Sequence, residues 1–218
     1  MESISGKRTL AGGSLRNCII CIVLAFVLWT IMFWPFGGPP LNFWAMMTFS
    51  ALTLTTLTTI FMPKWWHSVK FTPANIAFGL CIAIVLWCAF WIGDKVSQWM
   101  FDFSREQVNG IYGMKGSTPP WLLSILLLFI IGPAEEIFWR GYIQKSLSLR
   151  YSPNIGFIVT TAIYTLVHIG SLNFMLIMSA LVCGIAWGGL YRLFPNRFAA
   201  IILSHAVWDA AVFVWFPI

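Results

Sequence analysis

Apolar side chains run along this chain in long, nearly unbroken blocks, with the polar residues gathered between them. A bilayer core about 30 Å thick takes about 20 helical residues to cross. Seven blocks reach or approach that length: 17–36, 43–62, 74–92, 119–145, 153–170, 172–191 and 198–216. They are too long and too continuously apolar for a transmembrane barrel, whose short strands alternate. The pattern therefore predicts an all-α, polytopic transmembrane helical bundle of about seven spans. Most connections are short. The exception, 93–118, mixes Trp99, Met100 and Phe101 with Asp102, Arg105 and Glu106, and is expected to lie along the membrane surface as an amphipathic piece, although its helical periodicity is poor. No repeat and no low-complexity linker marks a domain boundary.

Composition agrees: 59% of the residues are hydrophobic and 9% charged, where a soluble domain carries about a quarter charged. The net charge of +6 is spread over loops. It serves topology rather than a nucleic-acid surface, so the expected environment is a lipid bilayer and no nucleic-acid partner is expected. Lys7, Arg8 and Arg16 precede the first block, Lys64 and Lys70 follow the second, Lys145 and Arg150 the fourth, and Arg192 and Arg197 the sixth. The connections at 37–42 and 170–171 carry no charge, and 93–118 is balanced. Every second connection is basic, which places the N-terminus in the cytoplasm and the C-terminus outside. Trp34, Trp44, Trp91, Trp121 and Trp215 fall at outer ends, and Trp65 and Trp66 at an inner end, as interfacial tryptophans do. The first block begins like a signal peptide but has no small-residue cleavage site, and reads as a retained span. Cys18 and Cys21 form a C-x-x-C without a second ligand pair. With Cys81, Cys88 and Cys183 they read as small hydrophobes facing neighbouring helices.

Three sites break the apolar pattern. Glu135, Glu136 and Arg140 stand inside the fourth block, where each ionised side chain costs roughly 2.5–3.5 kcal/mol. Such groups face a protein interior or a watery cavity. Glu136 and Arg140 are four apart and share a helix face. Glu135 lies about 100° around the helix, so its partner must come from another helix. Tyr164 and His168 share a face of the fifth block, and His205 and Asp209 a face of the seventh. Glu135, His168, His205 and Asp209 could together hold a water, a metal ion or both.

The three pairings resemble, in order, the E-E-x-x-x-R, F-x-x-x-H and H-x-x-x-N/D motifs of the CPBP intramembrane proteases. That family includes CAAX-processing and bacteriocin-processing enzymes and is also called Abi. The resemblance covers about 119–218, which it implies to be a protease core formed by the last four spans. The preceding 1–118, three spans and a connecting loop, carries no motif. Two residues depart from the pattern. Tyr164 stands where phenylalanine is usual and is expected to matter little. Asp209 stands where asparagine is commoner and favours metal ligation somewhat.

Peptide hydrolysis needs an activated water, a stabilised oxyanion and a proton for the leaving amine. A glutamate inside a membrane protein can accept and return that proton near neutral pH. Glu135 with His168 is assigned to positioning and activating the water, with Glu136, Arg140 and Tyr164 in support. By resemblance, His205 and Asp209 polarise the scissile carbonyl, unless they ligate a metal. The soluble zinc-protease signature H-E-x-x-H is absent. A divalent metal such as zinc, held by His168, His205 and Asp209, and a metal-free glutamate mechanism are both left open. The reading is an intramembrane endopeptidase cutting a peptide or protein substrate, lipidated or membrane-bound, near the cytoplasmic face. A non-catalytic immunity or scaffold relative, and a proton-coupled transporter, are the alternatives. Counted along ideal helices, Glu135 and His205 fall nearer the inner side and His168 nearer the outer end of its span. A bend at Gly132-Pro133 is expected to reconcile them.

The alternating basic connections generate a topology test. A cysteine at position 37 should label from outside intact cells, and one at position 70 only once the cytoplasmic side is exposed. The opposite labelling would reverse the orientation.

Overall fold

The computed structural model describes residues 14–34 and 42–218. Lys7, Arg8, Phe36 and the connection at 37–41 lie outside the described residues. Among the described residues, seven helices are long and apolar enough to cross a membrane: Leu15–Met32, Phe43–Phe61, Pro73–Met100, Pro120–Arg150, Pro153–Ser171, Phe174–Leu193 and Pro195–Trp215. The protein is an all-helical, multi-pass integral membrane protein. Several helix starts follow directly from the sequence. Thr72, Ser152 and Asn173 accept hydrogen bonds from the backbone N–H groups of Asn75, Ile155 and Leu176, satisfying donors that a first turn leaves unpaired. Pro73 and Pro153 stand at the first helical position, where a missing N–H costs nothing.

The distribution of side chains inverts that of a soluble protein. Val23, Phe49, Ile84, Val85 and Phe129 are exposed, whereas Glu135, Glu136, Arg140, His168, His205 and Asp209 are buried. A hydrocarbon solvent favours this arrangement, since it accepts leucine and phenylalanine freely and polar groups only at high cost. The seventh span is the most buried of the seven and packs against the third, fourth and sixth. Small residues make these contacts close. A Cβ added at Gly79 would lie 2.7 Å from the Ala200 carbonyl oxygen, and one at Gly132 2.7 Å from the Ala206 Cα. Membrane helices pack by van der Waals contact rather than by expelling water, and small residues permit such approach.

The fourth span carries the acids and is the longest, continuous from Pro120 to Arg150. It holds two π-helical turns, Leu127–Ile131 and Trp139–Gln144, on either side of Gly132–Phe138. Pro133 lacks an N–H, and its ring crowds the carbonyl four residues back. That carbonyl belongs to Phe129, inside the first wide turn, which accommodates the proline. Gly132 itself is regular helix (φ −56°, ψ −49°) and serves close packing on Ala206 rather than a bend. The expected mismatch in depth is resolved by helix length instead. Glu135 lies fifteen residues before Arg150, and His168 fifteen residues after Pro153, so both stand equally far from the basic ends of their spans.

The region 93–118 departs from expectation. The third span continues to Met100, and a short helix, Ser104–Gly113, follows. Gln107 ties that helix to the start of the sixth span: its carbonyl accepts from Asn173 Nδ2 at 2.9 Å and its Oε1 from the Met175 N–H at 3.0 Å. The Tyr112 hydroxyl donates to the Val212 carbonyl at 3.1 Å. The short helix thus bridges the sixth and seventh spans. Arg105 of this helix and Lys95 of the third span both pair with the buried Asp94 carboxylate of the third span, at 3.4 and 3.2 Å. All five cysteines are free. Cys18, Cys21 and Cys183 are buried as expected, but Cys81 and Cys88 are exposed and face outward rather than toward neighbouring helices.

The glycine contacts generate a stability test. Gly132→Val forces a side chain into the Ala206 backbone and should cost at least about 1–3 kcal/mol, the usual penalty of overpacking. Gly93→Val, with nothing within 4 Å of the added Cβ, should leave the melting temperature of the purified protein in detergent unchanged. Equal melting temperatures for the two variants would remove the close crossing from the fold.

Candidate active site

The fourth, fifth and seventh spans bring their polar residues into one cluster around Glu136. This carboxylate has no exposed surface. Its Oε1 accepts from Arg140 Nη1 at 2.9 Å and from His205 Nδ1 at 2.7 Å. The first contact follows from the spacing of four; the second joins the fourth span to the seventh. His205 continues toward Asp209, Nε2 to Oδ2 3.4 Å, again across one helical turn. Arg140 also donates through Nη2 to the Cys183 carbonyl at 3.4 Å, and its guanidinium lies 4.8 Å above the Tyr164 ring. A charge-assisted pair so placed is short because no water competes for either partner.

Glu135 faces another way. Its Oε2 accepts from the Tyr164 hydroxyl at 3.1 Å, which supplies the partner on another helix that its position around the fourth span demands. The side chain lines a cavity of about 530 Å³. The cavity also reaches Tyr164, His168, His205 and Asp209. Glu136 and Arg140 are not among its lining residues. One glutamate is thus committed to a buried network, while its neighbour presents a carboxylate to open space. The hydroxyl of Tyr164, expected to matter little, is the group that holds this carboxylate.

His168 is held at both nitrogens. Nδ1 lies 2.8 Å from the Tyr164 carbonyl oxygen, which can only accept, so Nδ1 carries the proton. Nε2 accepts from Trp29 Nε1 at 3.2 Å. The imidazole is therefore neutral, with its lone pair engaged by a residue of the first span. Sequence reasoning missed Trp29, because a tryptophan inside an apolar block carries no signal of its own. It missed Trp187 for the same reason. That indole stacks on the His205 ring, with centroids 3.7 Å apart and planes 16° from parallel, and its Nε1 donates to Ser204 Oγ at 3.1 Å.

The donor set does not fit a metal ion. Among the described residues, no three His, Cys, Asp or Glu side chains are grouped as ligands. Of the three expected ligands, His168 offers no free nitrogen, because both are hydrogen-bonded. His205 directs Nδ1 at Glu136, and Nε2 stands opposite Asp209.

The cavity walls are mainly apolar, with Phe43, Met47, Phe90, Met178 and Phe213 among them. They come from the end of the third span, the start of the sixth, the end of the seventh and the short helix, through Val108, Ile111 and Met114. That helix therefore caps the cavity with one side, a role beyond the surface placement expected of it. None of the lining residues comes from 62–72, 151–152 or 194–197, the described connections that neighbour the basic ends of the spans. The cavity thus runs from Glu135 to the face away from the described basic connections.

Residues 117–211 match the model of a family described as type II CAAX prenyl endopeptidase Rce1-like. The matched segment contains Glu135, Glu136, Arg140, Tyr164, His168, His205 and Asp209. No curated protein and no solved structure matches the chain.

The shared Glu136 oxygen generates a stability test that separates the two acids. Glu136→Ala strands both Arg140 and His205, and Arg140→Ala strands Glu136. Each should destabilise the protein by about 3–5 kcal/mol. Glu135→Ala removes one bond to Tyr164 and should cost far less. Melting temperatures of the purified variants report the difference, and equal losses from Glu135→Ala and Arg140→Ala would make both acids structural.

Proposed function

We propose that this chain, whose residues 117–211 match the model of the Rce1-like family of CAAX prenyl endopeptidases, is an intramembrane peptidase whose general base is Glu135. The observation that carries this reading is the unequal environment of adjacent carboxylates. Glu136 is fully enclosed by Arg140 and His205, whereas Glu135 meets the cavity with only Oε2 engaged.

In this reading Glu135 takes a proton from a water molecule, and the resulting hydroxide attacks the carbonyl carbon of the scissile bond. The same carboxyl then gives its proton to the departing amide nitrogen, leaving a carboxylic acid and an amine. Tyr164, by holding Oε2, sets which oxygen faces the water. His168 is pinned between Trp29 and the Tyr164 carbonyl and acts as a fixed wall that orients the water, its basic nitrogen becoming available only if Trp29 moves away. His205, stacked on Trp187 and anchored through Nδ1–H to Glu136, offers Nε2–H to the developing oxyanion in its doubly protonated form, in which both ring nitrogens donate. Asp209 stands across the turn from that nitrogen, and an aspartate can offer a hydrogen to the oxyanion only in its protonated form. No step calls for a metal ion, which the donor set does not fit.

The substrate is a peptide or protein at the membrane. The family description names a CAAX prenyl endopeptidase, and the phenylalanine and methionine walls of the cavity suit an apolar or lipid-bearing segment equally well.

Cleavage of a peptide library by the purified protein, in detergent or liposomes, tests the reading. Glu135→Gln should lower turnover by about 10²–10⁴-fold, as loss of a general base does, without lowering the melting temperature. Tyr164→Phe should lower turnover by about 10–150-fold, since a hydrogen bond to a charged group contributes about 1.5–3 kcal/mol. Asp209→Asn, which keeps a hydrogen-bond donor at this position, should remain active where Asp209→Ala does not. Normal turnover of Glu135→Gln would end the mechanism.

A further inference from the structure

Three independent features set the direction from which the cavity is reached. The first is its lining. Phe43 begins the second span, Met100 ends the third, Met175 begins the sixth and Phe213 stands near the end of the seventh, so the walls belong to one face of the bundle. The second is charge. Lys64, Lys70, Lys145, Arg150, Arg192 and Arg197 stand at the opposite ends of their spans, as does Arg16 at the start of the first. Among the described residues, the lysines and arginines at the cavity face are Lys95, Arg105 and Lys115, and two of these are paired with Asp94. The third is depth. Fifteen residues separate Glu135 from Arg150 and His168 from Pro153. At 1.5 Å per residue that is about 22 Å, past the middle of a core about 30 Å thick. The reacting groups therefore lie closer to the cavity face than to the basic face.

Basic connections are retained in the cytoplasm, and short, strongly biased loops such as these decide orientation. We propose that the cavity opens to the non-cytoplasmic side of the membrane, and that its substrate is an apolar segment of a membrane-anchored or exported polypeptide presented from that side. The inference rests on the peptidase reading for its substrate, but not for the direction of access. Asp94, the acidic residue among the described lining residues near the mouth, is already matched by Lys95, Arg105 and the Gln98 amide at 2.6 Å. The entrance thus favours neither an acidic nor a basic peptide. The walls select apolar side chains.

Two measurements test direction and substrate separately. For direction, Gly93→Cys at the lip, where an added Cβ meets nothing within 4 Å, and Ser179→Cys in the wall are exposed to a membrane-impermeant maleimide. Label is scored above that of the unsubstituted chain with its five native cysteines. Both positions should label in intact cells, and Lys70→Cys only in inside-out vesicles. Label at Gly93→Cys and Ser179→Cys confined to inside-out vesicles would overturn the direction of access and leave the peptidase reading standing. For substrate, the unsubstituted protein in right-side-out and inside-out vesicles receives a membrane-impermeant apolar peptide. Cleavage confined to right-side-out vesicles supports the proposal, and cleavage confined to inside-out vesicles overturns it. If Gly93→Cys labels from outside but no preparation, detergent-solubilised protein included, cleaves any peptide, the peptidase reading falls and the orientation of the cavity stands.

Discussion

The buried ionic cluster that joins the fourth and seventh spans depends on one carboxylate oxygen. Glu136 Oε1 receives Arg140 from its own helix and His205 from the seventh span, inside a bundle whose exterior is apolar. No water reaches Glu136, so each of the three groups relies on the others for solvation, and none can be withdrawn without leaving an isolated polar group or charge in low dielectric. The network therefore sets the rotation of the fourth span against the seventh. The Gly132–Ala206 crossing, at 2.7 Å from an added Cβ, then sets their separation.

With the fourth span so oriented, the residue beside Glu136 has little choice of direction. Glu135 turns into the space between the third, fifth, sixth and seventh spans, where Tyr164 holds it. A continuous helix of 31 residues brings it there, and the wide turns around Pro133 and Arg140 let that helix pass two crowded positions without breaking. Irregular hydrogen bonding of this kind is tolerated in a membrane where protein or a cavity surrounds it, and wide turns recur at functional sites. The first span, which bears no motif, completes the arrangement through Trp29. A helix at the edge of the bundle thereby controls the lone pair of His168.

Much of this was legible in the chain. Seven blocks of apolar residues became seven spans, because a bilayer imposes a length that composition reveals directly. The Glu136–Arg140 pair was legible too, since 3.6 residues per turn settles which side chains of one helix meet. So was the need of Glu135 for a partner elsewhere. The family resemblance carried by the three motifs agrees with the family model that matches residues 117–211.

What the sequence could determine by itself was whatever one helix or one membrane dictates: the number of spans, the basic face and the pairs four residues apart. The tertiary structure decided contacts between helices, which depend on rotation, tilt and depth that no local spacing encodes. It joined His205 to Glu136, gave Tyr164 to Glu135, placed Trp29 on His168 and Trp187 on His205, and directed both nitrogens of His168 away from a metal-binding role. It also decided which face the cavity meets. Depth counted along isolated spans suggested a bend, whereas a helix five residues longer at its basic end removed the need for one. Packing carves the cavity at the ends of the spans away from the described basic connections, a placement that no single helix encodes.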